Sequence, residues 1–135
     1  MKRTKHIQHF PTATEPGAMV CFTSIPLKTL KDGTVHAFLL MDAYSKYMLH
    51  VGVELGDDME YVLKHIQRMI QSSTFSQFGH HPFVLVMAGY EAYRPEIEAL
   101  IEPIGGRMLV DEGLVMFQMA EAIEDFLRSV QQGMS

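Results

Sequence analysis

The sequence predicts an α/β fold, a five-stranded mixed sheet with helices on both faces in the order β-β-β-α-β-α-β-α. Three observations carry that expectation. Three β-prone runs follow one another between Ala18 and Glu54 with tight polar links, as in an antiparallel meander. From Asp57 onward the apolar spacing turns helical, and strand-like and helical runs then alternate. The 135 residues are 47% hydrophobic and 20% charged, enough for one well-filled core and too few for a second domain.

Residues 1–17 lack periodicity and carry Pro11, Pro16 and Gly17, so they read as an N-terminal arm or linker ahead of a domain spanning 18–135. Ala18–Ile25 is apolar and ends at Pro26, which cannot donate to a sheet ladder. Lys31-Asp32-Gly33-Thr34 is a hairpin signal leading into a second strand, Val35–Met41. The polar link from Asp42 to Lys46 leads to a third, Tyr47–Glu54. Met59, Val62, Leu63, Ile66, Met69 and Ile70 recur at helical spacing, with Asp57 or Asp58 placed to cap the first turn. Ser72–His81 is a polar loop, and Phe83–Val86 a short continuous apolar run suited to a strand buried on both faces. Pro95 opens a helix that ends before Pro103. Gly105-Gly106 breaks the chain ahead of a last strand, Arg107–Val110. Val115, Met119, Ile123, Phe126, Leu127 and Val130 then mark a C-terminal amphipathic helix.

Composition narrows the classes of function. The hydrophobic fraction excludes a disordered chain, and no apolar run reaches the roughly eighteen residues of a membrane span. The basic start Met1–His6 precedes a segment too short and polar for a signal peptide. The single cysteine, Cys21, excludes an internal disulfide and lies in an apolar strand, so the expected compartment is the reducing cytoplasm. Net charge is −5, and outside the first five residues eight bases face sixteen acids. A body so acidic lacks the basic stripe of an autonomous nucleic-acid binder, and leaves Lys2, Arg3 and Lys5 as the residues for a weak DNA contact.

The element order and several local motifs resemble the catalytic cores of integrases and transposases, which have the ribonuclease H-like fold. His36 to Met48 looks like that family's second and third strands, joined by an Asp-x-aromatic-Ser-basic turn at Asp42–Lys46. Val20–Ile25 looks like its first strand, and Phe83–Tyr90 like its fourth strand with the Asp-x-Gly segment at its end. Phe117–Glu121, with Arg128 beyond, looks like the helix bearing its last carboxylate. The resemblance spans about Ala18 to Val130. It implies a site in which three carboxylates, two from strand ends and one from the late helix, hold divalent metal ions, magnesium or manganese. Such ions activate a water or a 3′-hydroxyl and stabilise the leaving oxygen of a phosphodiester.

The positions matching that acidic triad are Ser24, Met87 and Glu121, expected to converge near one end of the sheet. Only Glu121 is a carboxylate; a serine hydroxyl is a weak neutral ligand and a thioether is too soft for magnesium. The helix asparagine of the family is here Phe117. No cofactor, no metal site and no catalytic residue are therefore expected, and the resemblance implies a catalytically inactive core related to DNA integration. Asp42 reads as turn chemistry and Glu91 as a solvated loop acid, while Glu121, Glu124 and Arg128 also fit a polar helix face.

His6 with His9, and the adjacent His80 and His81, lack the further ligands of a structural zinc site. His36, His50 and His65 fall inside predicted elements. Eleven methionines fit adaptable core filling or, alternatively, a repackable partner surface. The alternative to an inactive integration core is thus a non-enzymatic interaction or dimerisation module on the same scaffold. A homodimer is the expected assembly, because soluble oligomers are most often two-fold symmetric.

Overall fold

The computed structural model describes residues 13–78 and 82–133. Lys2, Arg3, Lys5, His6, His9, His80 and His81 lie outside the described residues. The strands are β1 (Met19–Leu30), β2 (Gly33–Asp42), β3 (Met48–Glu54), β4 (Phe83–Met87) and β5 (Gly106–Val110). The helices are α1 (Met59–Ile70), a single turn α2 (Ser73–Ser76), α3 (Arg94–Ile101) and α4 (Glu112–Gly133). The strands form one mixed sheet in the order β3-β2-β1-β4-β5. β1 to β3 are antiparallel neighbours, while β4 and β5 run parallel to β1.

The predicted class and element order hold; the boundaries move where a neighbour is lost. β1 extends well past Pro26 because β4 pairs with it only from Met19 to Phe22. Beyond that point one edge of β1 meets no other strand, and a proline with no N–H is tolerated beside a register shift between Pro26 and Lys28. The β1–β2 hairpin therefore runs out to Leu30 and Gly33, around the Lys31-Asp32 turn. In the loop expected after α1, Ser72 accepts from the Phe75 N–H and caps the extra turn α2. Asp58 occupies the N-cap position of α1 without a capping side-chain bond.

Alternation along the central strands divides the core into two layers. Phe22, Phe38, Leu40, Leu85 and Met87 pack with Val62 and Ile66 of α1 and Ile97 and Ile101 of α3. Cys21, Leu39, Met41 and Val86 point the other way, against Leu114, Val115 and Met119 of α4. Each such side chain fully withdrawn from water contributes about 1.5–3 kcal/mol. Burial pushes the Cys21 thiol up to about 12, so it is a small core hydrophobe rather than a nucleophile.

The buried Asp42 closes the end of the sheet. Its carboxylate accepts from the Gly17 N–H at 2.9 Å, the Ser45 N–H at 3.1 Å and the Ser45 hydroxyl at 2.6 Å. The residues before β1 are thereby tied to the β2–β3 turn, and Ala13 packs against the α4-side layer. Asp42→Ala leaves a buried N–H and the turn serine without their charged acceptor. It is expected to lower unfolding free energy by about 2–4 kcal/mol in denaturant titration, while Ser45→Ala, which removes one of the three bonds, costs about 1 kcal/mol.

Candidate functional site

The carboxyl end of β4 meets β1 at the fourth residue of that strand, with Phe22 opposite Met87 and the Ala88 N–H donating to the Phe22 carbonyl. Ser24 and Met87 thus lie on neighbouring strands. Both belong to the face covered by α1 and α3. Met87 is fully buried in that layer. Ser24 shares the parity of Phe22 and bonds Tyr90, which packs against the same layer.

Glu121 does not join them. α4 begins directly after β5, where the Asp111 N–H donates to the Met87 carbonyl and Asp111 Oδ1 caps the Leu114 N–H. Glu121 lies nine residues into α4, about 14 Å along the axis, on the opposite face of the sheet. It lines a surface cleft with Met41, Lys46, Gln118 and Asp125. That cleft sits beside the β2–β3 turn, where Lys46 Nζ donates to the Gln118 carbonyl at 3.1 Å and to its Oε1. The expected convergence of three residues is therefore a pair, Ser24 and Met87, with Glu121 apart from it.

A site shared by two strand ends and the late helix has to lie on the face that α4 covers. The residues on that face at this level are Thr23, with the parity of Cys21 and Ile25, and Ala88, which packs in the α4 layer. Sequence reasoning missed both, and the misleading signal was Gly89. It suggests the position of the turn after β4, yet the left-handed residue there is Tyr90, at φ 71°. Shifting the alignment by one residue exchanges one sheet face for the other.

Ser24 has its own network. Its hydroxyl is 2.5 Å from the Tyr90 hydroxyl, which donates to Asp57 Oδ2 at 3.1 Å. Burial pushes the Tyr90 phenol up to about 12, so it keeps its proton and Ser24 donates to it. Tyr90 also packs edge-on against Phe22 and stacks on Tyr93. The chain from Ser24 through Tyr90 to Asp57 fastens the loop after β4 to the start of α1. Glu91 is ion-paired with Arg94, which holds its carboxyl below the usual range. Arg94 in turn reaches Glu98 and the Met108 carbonyl.

These donors do not fit a pair of divalent ions. Magnesium and manganese require several converging oxygen ligands, but the strand-end positions offer Thr23 and Ala88 on one face and Ser24 and Met87 on the other. Among the described residues, no three of His, Cys, Asp and Glu are grouped to hold a metal ion. Placing a carboxylate at Met87 would bury it among Phe22, Phe38 and Leu85. Met87→Asp is expected to destabilise the fold by about 4 kcal/mol without adding manganese affinity, as read by thermal melting and calorimetric titration.

A second polar cluster lies between α1 and β3. His65 is buried, stacks on Phe38 and sits over Gly52, where a Cβ would overlap its ring. Its Nε2 is 2.8 Å from Glu54 Oε2, and its Nδ1 is 2.7 Å from His50 Nε2. Lys64 also pairs with Glu54. Burial, then His65 and Arg68, hold His50 below the usual histidine range. The Lys64 and His65 bonds hold Glu54 below the carboxylate range against the opposing effect of burial. His36 stands opposite Glu54 on β2.

The unfolded chain therefore protonates His50 before the folded one does. Its contribution to stability is present above about pH 6.5 and is lost as pH falls through the lower folded pKa. Unfolding free energy should decline from pH 8 to pH 5 in the native protein and decline less in His50→Gln.

No protein-family model matches the sequence, and no curated protein matches it. Among solved structures, the catalytic domain of Mos1 mariner transposase superposes with a TM-score of 0.52 at 9% identity, over 69% of this chain and 48% of that one. The Mos1 transposase catalytic domain in a structure with raltegravir and Mg gives 0.54 at 10% identity, over 87% of this chain and 69% of that one. This chain thus matches about half the length of the first and two thirds of the second. The chain shares its fold, ribonuclease H-like, with that transposase catalytic domain.

Proposed function

We propose that this chain is a catalytically silent core related to DNA integration, one that keeps the scaffold of the phosphoryl-transfer enzymes without their metal chemistry. The observation that carries the reading is the pair of neutral positions on each face where β4 ends beside β1: Thr23 with Ala88, and Ser24 with Met87. Two divalent ions bring four positive charges into one small site, and carboxylates must offset them. The carboxylates nearest that end have other partners, Asp57 with Tyr90 and Asp111 with the first turn of α4. Residual DNA contact is assigned to Lys2, Arg3 and Lys5, and such contact would weaken steeply with salt.

A second reading, a non-enzymatic interaction module that self-associates, is favoured by the exposed apolar side chains Val51, Val53 and Leu55 around β3 and Met116 and Leu127 on α4.

The purified protein should neither nick supercoiled plasmid nor join DNA ends in magnesium or manganese. It should also show no saturable manganese binding by calorimetry. Metal-dependent nicking that disappears in Glu121→Gln would overturn the silent-core reading.

A further inference from the structure

β3 is an edge of the sheet, and among the described residues it lacks the usual protection of an edge. Its sequence, Met48–Glu54, has no proline or lysine. Its one charged side chain, Glu54, is drawn towards α1 by Lys64 and His65. Val51 and Val53 stand opposite Leu39 and Ala37 of β2, on the sheet face of α4. α4 packs mainly on β1 and β4, so the two valines remain 45% and 54% exposed.

We propose that this edge pairs with the same edge of a second copy, antiparallel about a two-fold axis through Gly52 and perpendicular to the sheet. The proposal rests on the interaction-module reading and is independent of catalytic silence. A strand pairing with its own copy has to be self-complementary, and β3 is so in one register. With Gly52 opposite Gly52, Val51 faces Val53 of the second copy and His50 faces its Glu54, each contact occurring twice. Shifting the centre to Val51 or to Val53 places His50 opposite a glycine, Gly52 or Gly56, and splits the valine pairs. A centre between two residues would set side chains of opposite faces against each other.

Polar atoms also remain available at this edge. Lys64 and His65 both bond Oε2 of Glu54, so Oε1 accepts from neither. His50 uses Nε2 for His65 and keeps Nδ1 for another partner. On the other face the four valines form one continuous apolar row, the kind of cross-strand packing that stabilises antiparallel pairs. The joined molecule is a single ten-stranded sheet with both α4 helices on one side.

Sedimentation of the full chain at up to about 1 mM tests this, because a short edge-to-edge contact still populates a dimer in that range. The native protein should show a reversible dimer. Val53→Lys and Val51→Glu, both at exposed positions and checked for folding by circular dichroism, should each weaken association roughly tenfold or more. Mixing the two variants should restore the dimer, since the new carboxylate at position 51 then faces the new ammonium at position 53. Leu127→Lys, on α4, should leave association unchanged. A native protein that stays monomeric, or a dimer that survives Val53→Lys, overturns the proposal. Singly weakened variants that fail to recover on mixing overturn the register. Association lost in Leu127→Lys and kept in Val53→Lys would overturn the β3 edge while leaving the interaction-module reading in place.

Discussion

The alternation of side chains along β1 is the constraint from which the rest of this molecule follows. Val20 and Phe22 feed one layer and Met19 and Cys21 the other, and both layers must close for the sheet to be buried. Because β1 lies between an antiparallel hairpin and a parallel strand, its parity is transmitted to β2 and β4 through the paired registers. A one-residue slip would turn Phe22 towards α4 and bring Thr23 among the aromatic side chains of the other layer. That cost fixes the register, and with it the face on which every strand-end side chain emerges.

Local signals in the sequence carry most of the fold. β2, β3 and α1 are legible because their apolar spacing and turn residues agree, and Pro95 marks the start of α3. Other features depend on long-range pairing and leave no local mark. The extension of β1 past Pro26 follows from the early end of β4, more than fifty positions away in sequence. The slot for His65 exists because Gly52 lies under it, a contact between α1 and β3 that neither segment announces. Asp42 is the reverse case. Its turn chemistry is legible from Ser45 three residues on, although its hold on Gly17 is not.

The candidate site was harder to read, because sequence spacing places a residue along an element and says little about its face. Glu121 lies 34 positions after Met87, spacing similar to that of the enzymes this fold resembles. The spacing does not bring it to Met87, since α4 starts immediately after β5 and carries Glu121 towards the far end of the sheet. Likewise Gly89 draws the eye in Met87-Ala88-Gly89, while the backbone reverses at Tyr90. The cost of a left-handed tyrosine is offset by its bonds to Ser24 and Asp57 and its packing on Phe22 and Tyr93.

Those same contacts supply a physical reason for the scaffold to stand firmly without a metal. A cluster of carboxylates held close together repels itself and is stable only when cations neutralise it. Here the strand-end positions contribute to the fold instead. Met87 fills the layer under α1 and α3, Ser24 and Tyr90 latch the loop to α1, and Asp111 caps α4. Each adds packing or a satisfied hydrogen bond to the fold. In this chain exposed apolar side chains remain on α4, at Met116 and Leu127, and on β3, where Val51 and Val53 stand level through β2 with Thr23 and Ile25 of β1.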